Sequence, residues 1–137
     1  MNLTKDQFGN YVIQHVLEHG RQQDKDFVLN KMRRRILEMS THKFGSNVIE
    51  KCILHCTLKQ RRDIIKEIVG DKTENDAPLY QMIKDRFGNY VVQKTYEMAE
   101  PQDKKVIAQK VLDIVPLIKK QNNYSKHVFT FLEKNGV

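Results

Sequence analysis

Apolar residues recur along this chain at the spacing of helices, in blocks that themselves repeat. Val12, Ile13, Val16 and Leu17 form one aliphatic arc, which predicts a first helix over residues 6–19 closed by Gly20 as a left-handed cap. A second helix over 24–34 turns Phe27, Val28 and Met32 inward. Its later counterparts are Ile64, Ile65 and Ile68, then Val106, Ile107 and Val111. A short apolar turn follows each: Ile36, Leu37 and Met39; Leu79, Tyr80 and Met82; and Leu117 with Ile118. Pro78 and Pro116 stand at or near the starts of those turns, where a missing N–H costs least. Helical units of this size cannot bury their apolar faces alone, so the pattern predicts an all-α fold in which they stack into an α-solenoid.

The polar positions repeat more exactly than the apolar ones. DQFGNYVIQH (residues 6–15), HKFGSNVIEK (42–51) and DRFGNYVVQK (85–94) align without gaps. Phe8 and Phe44 are 36 residues apart and Phe44 and Phe87 are 43 apart, with the excess of 7 assigned to the polar stretch 71–77, an inserted loop. A further 37 residues leads to Tyr124, where YSKHVFTF keeps the aromatic start and Val128 but loses the polar set, as a degenerate terminal cap does.

On a wheel of about 100° per residue with Asn10 at zero, the aliphatic arc lies between roughly 200° and 340°, and Gln14 and Tyr11 lie near 40° and 100°. Gly9, Gly45 and Gly88 fall inside the apolar arc, where they allow close approach of a neighbouring backbone. The free face of each repeat thus carries hydrogen-bonding side chains at i and i+4 and a further side chain at i+1, which is planar. Stacking would array these sets in a row. Amide or carboxylate pairs alternating with planar groups suit unstacked bases, whose edges are hydrogen-bonded and whose faces are sandwiched, so single-stranded RNA is the natural ligand.

The sets Asn10-Tyr11-x-x-Gln14, Ser46-Asn47-x-x-Glu50 and Asn89-Tyr90-x-x-Gln93, each preceded by Phe-Gly, resemble the Pumilio homology domain of the PUF family over essentially the whole chain. The resemblance implies an α-solenoid of three-helix repeats, a fragment of a right-handed superhelix, in which the first and fifth motif residues read a base and the second stacks. By that code Asn10 with Gln14 reads uracil, Ser46 with Glu50 guanine and Asn89 with Gln93 uracil. The family binds RNA antiparallel to its repeats, so the implied element is 5′-UGU-3′. Chemistry supports the middle assignment: guanine offers two adjacent donors, and an ionised Glu50 is acceptor-only. Uracil's two carbonyls around one donor suit an amide instead. Family domains carry eight repeats between caps, so residues 1–137 read as the C-terminal part of one, with a degenerate cap at 117–137. Lys126, His127 and Thr130 replace the reading set there and inherit no base; His127 alone keeps a planar ring in the stacking position. The resemblance further implies repression or destabilisation of messenger RNA through 3′ untranslated regions, with protein co-repressors on the convex face.

Composition narrows the alternatives. The chain has 137 residues, about one domain, with 24 bases against 17 acids, a net charge of +7 and a pI near 9.4, which favours polyanionic partners. No apolar run approaches the ~18 residues a membrane span needs, and the N-terminus lacks a secretory pattern, so a cytoplasmic location is expected. Cys52 and Cys56 sit in the aliphatic arc as packing residues, so neither a metal nor any other cofactor is expected. Glu50 and His55 point apart on the wheel, and no nucleophile with a base or phosphate loop is present, so enzymatic activity is not expected. His15, Lys51 and Lys94 edge the reading face, as phosphate contacts or as solvated charge. Arg33, Arg34 and Arg35 close a helix C-terminus. The competing class is a helical-repeat adaptor that binds proteins, which has no reason to repeat the polar set. The turn before Phe8 is reduced to Leu3 and its neighbours, which leaves Val12, Ile13, Val16 and Leu17 uncovered and predicts self-association through that edge or fraying of residues 1–20.

Overall fold

The structure, a computed structural model, describes residues 7–70, 77–118 and 122–137; Asp6, the turn around Leu3 and the inserted segment at 71–76 lie outside them. Among the described residues the elements are α1 (Gln7–His19), α2 (Gln22–Met32), α3 (Ile36–Ser40), α4 (Gly45–His55), α5 (Leu58–Val69), α6 (Pro78–Lys84), α7 (Gly88–Met98), α8 (Pro101–Ile114), a 3-10 turn at Val115–Leu117, and α9 (Asn123–Lys134). None is long and apolar enough to cross a membrane.

The helices form the predicted solenoid. α1, α4, α7 and α9 pack side by side as one row that carries the motifs, α5 and α8 pack in an outer row continued by α2, and the short α3 and α6 lie between. The core runs along the seam, through Leu17, Met32, Met39, Ile49, Ile53, Met82, Ile83 and Ile107, all essentially without exposure. Start and stop signals act locally. Thr57 and Gln60 form a reciprocal capping box at α5, and Pro78 and Pro101 open α6 and α8 where no N–H is required.

Polar bonds fix one repeat against the next. The Glu67 carboxylate accepts from the backbone N–H groups of Arg34 at 2.8 Å and Ile36 at 3.0 Å. The Gln60 amide donates to Asp26 at 2.6 Å, and the ion pairs Arg33–Asp63 and Arg62–Asp103 join successive outer helices at 3.4 and 3.7 Å.

Several expectations are corrected. Gly20 does not take a left-handed φ; its backbone follows the helix closely enough that a Cβ would stand 2.5 Å from the Val16 carbonyl oxygen. α2 ends at Met32, and the arginine run forms the following turn, with Arg34 at a φ of 64°. Phe27 is 60% exposed and Val106 48%, whereas Leu29 and Ala108 pack inward beside Val28 and Ile107. Val28, Met32, Ile107 and Val111 are buried as expected, so in α2 and α8 only Phe27 and Val106 are misplaced, and the residue corresponding to Phe27 is Asp63. Leu117 is exposed on the 3-10 turn. At the first repeat, Ile13 and Leu17 are buried and Val16 is partly covered; Val12 alone of the four is exposed, at 48%, where Val48 and Val91 are fully buried.

Candidate nucleic-acid interface

The motif helices begin with a side chain that the sequence reading left without a role. In the second and third ten-residue motifs the first residue caps its helix. Asp85 accepts from the backbone N–H groups of Phe87 and Gly88 at 2.8 Å each, and His42 does the same through Nδ1 for Phe44 and Gly45 at 3.2 and 3.3 Å. These are donors a helix N-terminus otherwise leaves unpaired. The glycine that follows permits contact with the short helix: a Cβ on Gly45 would meet the Met39 carbonyl oxygen at 2.6 Å, and one on Gly88 would meet Met82 at 2.9 Å. α4 and α7 are thereby pressed onto α3 and α6, which fixes the height of the residues that follow.

The predicted site residues come together on one surface of the motif row, in distinct environments. Tyr11 is 72% exposed, Tyr90 54%, and Asn47 is exposed, all standing clear of the core. Gln14, Glu50 and Gln93 are half-buried. Asn10, Ser46 and Asn89 are buried, Asn89 completely. The Asn89 amide donates to the carbonyls of Asp85 and Arg86 at 2.8 and 2.9 Å, and its Oδ1 accepts from Gln93 Nε2 at 3.3 Å. Asn10 Oδ1 likewise accepts from Gln14 at 2.8 Å, and the Ser46 hydroxyl donates to the Lys43 carbonyl at 3.1 Å. In the first and third repeats the first position therefore orients the fifth. Each Gln is left with its carbonyl and one N–H outward, an acceptor beside a donor.

Glu50 has no such neutral partner. Burial pushes its carboxyl above the ordinary carboxylate value, Lys94 opposes the shift and Glu97 adds to it. It lines an open cleft with Lys43, Ser46, Asn47, Phe87 and Tyr90, so the planar residue of one repeat faces the reader of the preceding one. A second cleft lies between Tyr90 and Gln93 on one side and Lys126, His127, Thr130 and Phe131 on the other. The Tyr90 and His127 rings across it are 6.5 Å apart between centroids and 21° from parallel.

Of the edge residues, Lys51 reaches back to Glu18 on α1 at 2.6 Å and holds that carboxyl below its usual value, while Lys94 pairs within its own helix with Glu97 at 3.3 Å. His42 is used as a cap, and His55, depressed first by burial and next by Lys51, has Glu18 rather than Glu50 as its neighbouring acid. Cys52 is buried in the core with its thiol pushed far up, and Cys56 is half-buried. Among the described residues no group of three His, Cys, Asp or Glu side chains is arranged to hold a metal.

A family model described as the Pumilio-family RNA-binding repeat matches residues 1–32, 35–69 and 79–112. Pumilio homolog 4 of Arabidopsis thaliana is 39% identical over 132 residues, 96% of this chain and 13% of the relative. The mRNA-binding protein PUF3 of Saccharomyces cerevisiae is 36% identical over 116 residues, 80% of this chain and again 13% of the relative. The solved structure of PUF-8 in complex with PBE-RNA superposes with a TM-score of 0.88 at 32% identity, covering 97% of this chain and 38% of that one. The chain thus spans a small part of the length of the curated relatives it matches.

Proposed function

Because this chain belongs to the Pumilio family of RNA-binding repeat proteins, we propose that its motif row reads single-stranded RNA one base per repeat, with 5′-UGU-3′ as the element. The observation that carries this reading is the alternation of the half-buried fifth position, Gln14, Glu50, Gln93, beside a side chain that stands free at the second. An amide held by a buried Asn presents an acceptor and a donor together, the complement of uracil's imino group and carbonyl. A carboxylate presents acceptors only, the complement of guanine's two donors. Tyr11 and Tyr90 supply stacking surfaces, Asn10 and Asn89 hold the amide readers through their hydrogen bonds, and the small Ser46 stands in the equivalent place beside Glu50. The RNA runs antiparallel to the repeats, so α7 takes the 5′ base and α1 the 3′ base.

Stacking contributes about 1–3 kcal/mol per base, and three bases less the cost of association leave affinity in the micromolar range or weaker. In the cell the reading extends to binding messenger RNA in the cytoplasm and lowering its translation or lifetime, with protein co-repressors engaging the outer helices. The test is fluorescence anisotropy with short labelled RNAs at one salt concentration. UGU binding at least tenfold tighter than ACA is expected; equal binding overturns the base-reading claim and favours an adaptor.

A further inference from the structure

The lysine and arginine side chains of the second and third motifs divide into two kinds. Lys51 and Lys94, at the tenth motif position, are committed to Glu18 and Glu97. Lys43 and Arg86, each immediately before the motif phenylalanine, are exposed, and among the described residues neither has a carboxylate within ion-pair distance. Each instead lies over the ring of its neighbour: Lys43 Nζ is 5.5 Å from the Phe44 centroid, and the Arg86 guanidinium is 5.2 Å from that of Phe87. The backbone beneath is fixed as well, because the Lys43 carbonyl accepts from Ser46 and the Arg86 carbonyl from Asn89. Lys43 stands in the turn that leads into α4, two residues before the helix begins. Lys43 lines the cleft with both of them and with Tyr90.

We propose that Lys43 and Arg86 are the phosphate-contacting pair of this surface, each taking a phosphodiester oxygen of the same strand whose bases the second and third repeats read. The inference rests on the RNA reading above and adds to it the contacts that carry no sequence information. A cation resting on an aromatic face keeps its charge outward and is partly ordered before the ligand arrives. A cation already paired with a carboxylate must break that pair to reach a phosphate, and this separates Lys43 and Arg86 from Lys51 and Lys94. At the terminal repeat the equivalent residue is Asn123, so the pair ends where the polar reading set ends.

The experiment compares Lys43→Gln/Arg86→Gln with Lys59→Gln/Lys105→Gln, which removes the same charge from exposed positions of the outer helices. Affinities for UGU and ACA RNAs are measured across a salt series. Each phosphate contact contributes about 0.7 to the slope of log affinity against log salt for a single strand. The first variant is expected to lose about 1.4 of slope for both RNAs while the UGU-to-ACA ratio stays constant, and the outer-row variant is expected to keep the wild-type slope. A charge-keeping variant, Lys43→Arg/Arg86→Lys, should retain the slope and so separates charge from lost ring packing. If the wild-type chain does not discriminate UGU from ACA, the RNA reading itself falls. If it discriminates and the Gln variants of both rows share one slope, the phosphate assignment alone is overturned.

Discussion

Tyr90 and His127 face each other across the junction of the last motif and the terminal repeat, nearly parallel and 6.5 Å between ring centroids. The pair lines the cleft between Gln93 and Thr130, where the reading proposed above puts the 5′ base. His127 lies where the other repeats carry Tyr11, Asn47 and Tyr90, and under that reading its ring would cover the 5′ base although Lys126 and Thr130 supply no reading pair. His127→Ala should weaken UGU binding by about 1 kcal/mol, near the lower end of stacking losses. It should leave unchanged the binding of an RNA that is abasic at its 5′ position. Equal losses for both RNAs in anisotropy titrations would show that the ring acts elsewhere.

Replacing Ser46→Asn, Asn47→Tyr and Glu50→Gln copies the outer sites into the middle one. Preference should move from UGU to UUU, and because a donor left unpaired costs about 1–3 kcal/mol the change should be roughly five- to a hundredfold. Ser46 is buried, so the larger Asn must reproduce the bonds Asn89 makes to the two preceding carbonyls, which the shared backbone of α4 and α7 permits. A variant that folds and still selects guanine would remove Glu50 as the reader.

The raised value of the Glu50 carboxyl gives a pH signature. An acid whose value is raised by burial is destabilising when ionised. Its neutral form therefore adds stability below the unfolded value, and that stability is lost as pH rises through the folded one. Guanine donors favour the ionised form. UGU affinity should consequently fall as the solution is acidified from neutrality through that raised value, with proton release on binding, while the UUU affinity of the triple variant stays flat. Parallel pH profiles for the two would contradict the assignment.

Gly45→Ala should destabilise the fold by about 1–3 kcal/mol, the scale of overpacking, because the added methyl meets the Met39 carbonyl at 2.6 Å. Ser40→Ala should do the opposite. The Ser40 hydroxyl is buried without a partner in the place where the next repeat has Ile83, and its removal should raise stability by up to about 1 kcal/mol. Urea unfolding of the two variants checks both signs.

The motif row was legible because its polar residues recur at fixed offsets, which a helix converts directly into a face. The outer row was less so. Phe27 and Leu29 are both apolar, and nothing in hydrophobicity alone decides which of two neighbours with Val28 between them points inward; packing of α2 against the core chose Leu29. The burial of Asn10 and Asn89 was not visible either, since a polar side chain reads as exposed until the carbonyls that satisfy it are placed. Lys43 and Arg86 were missed because they lie outside the i, i+1, i+4 set, in the turns that lead into α4 and α7, where helical periodicity gives no face. The capping residues carried a signal in the sequence, a His or Asp always two before the phenylalanine, that only the bonds of His42 and Asp85 explain.

Those two caps have a consequence for charge. In the third repeat the cap is a carboxylate, Asp85, and the reader is a neutral amide, Gln93; in the second the cap is an accepting imidazole nitrogen, His42, and the reader is the acid Glu50. Between these two repeats one negative charge is thus kept and merely reseated, from the helix start to the base edge. A polyanion passing from one to the other meets the same formal charge on both motifs, although they would select different bases. Exchanging Glu50 for Gln alone breaks that parity, and exchanging His42 for Asp at the same time restores it. Specificity in this scaffold can therefore be rewritten at constant charge, with the cap and the reader changing as a pair.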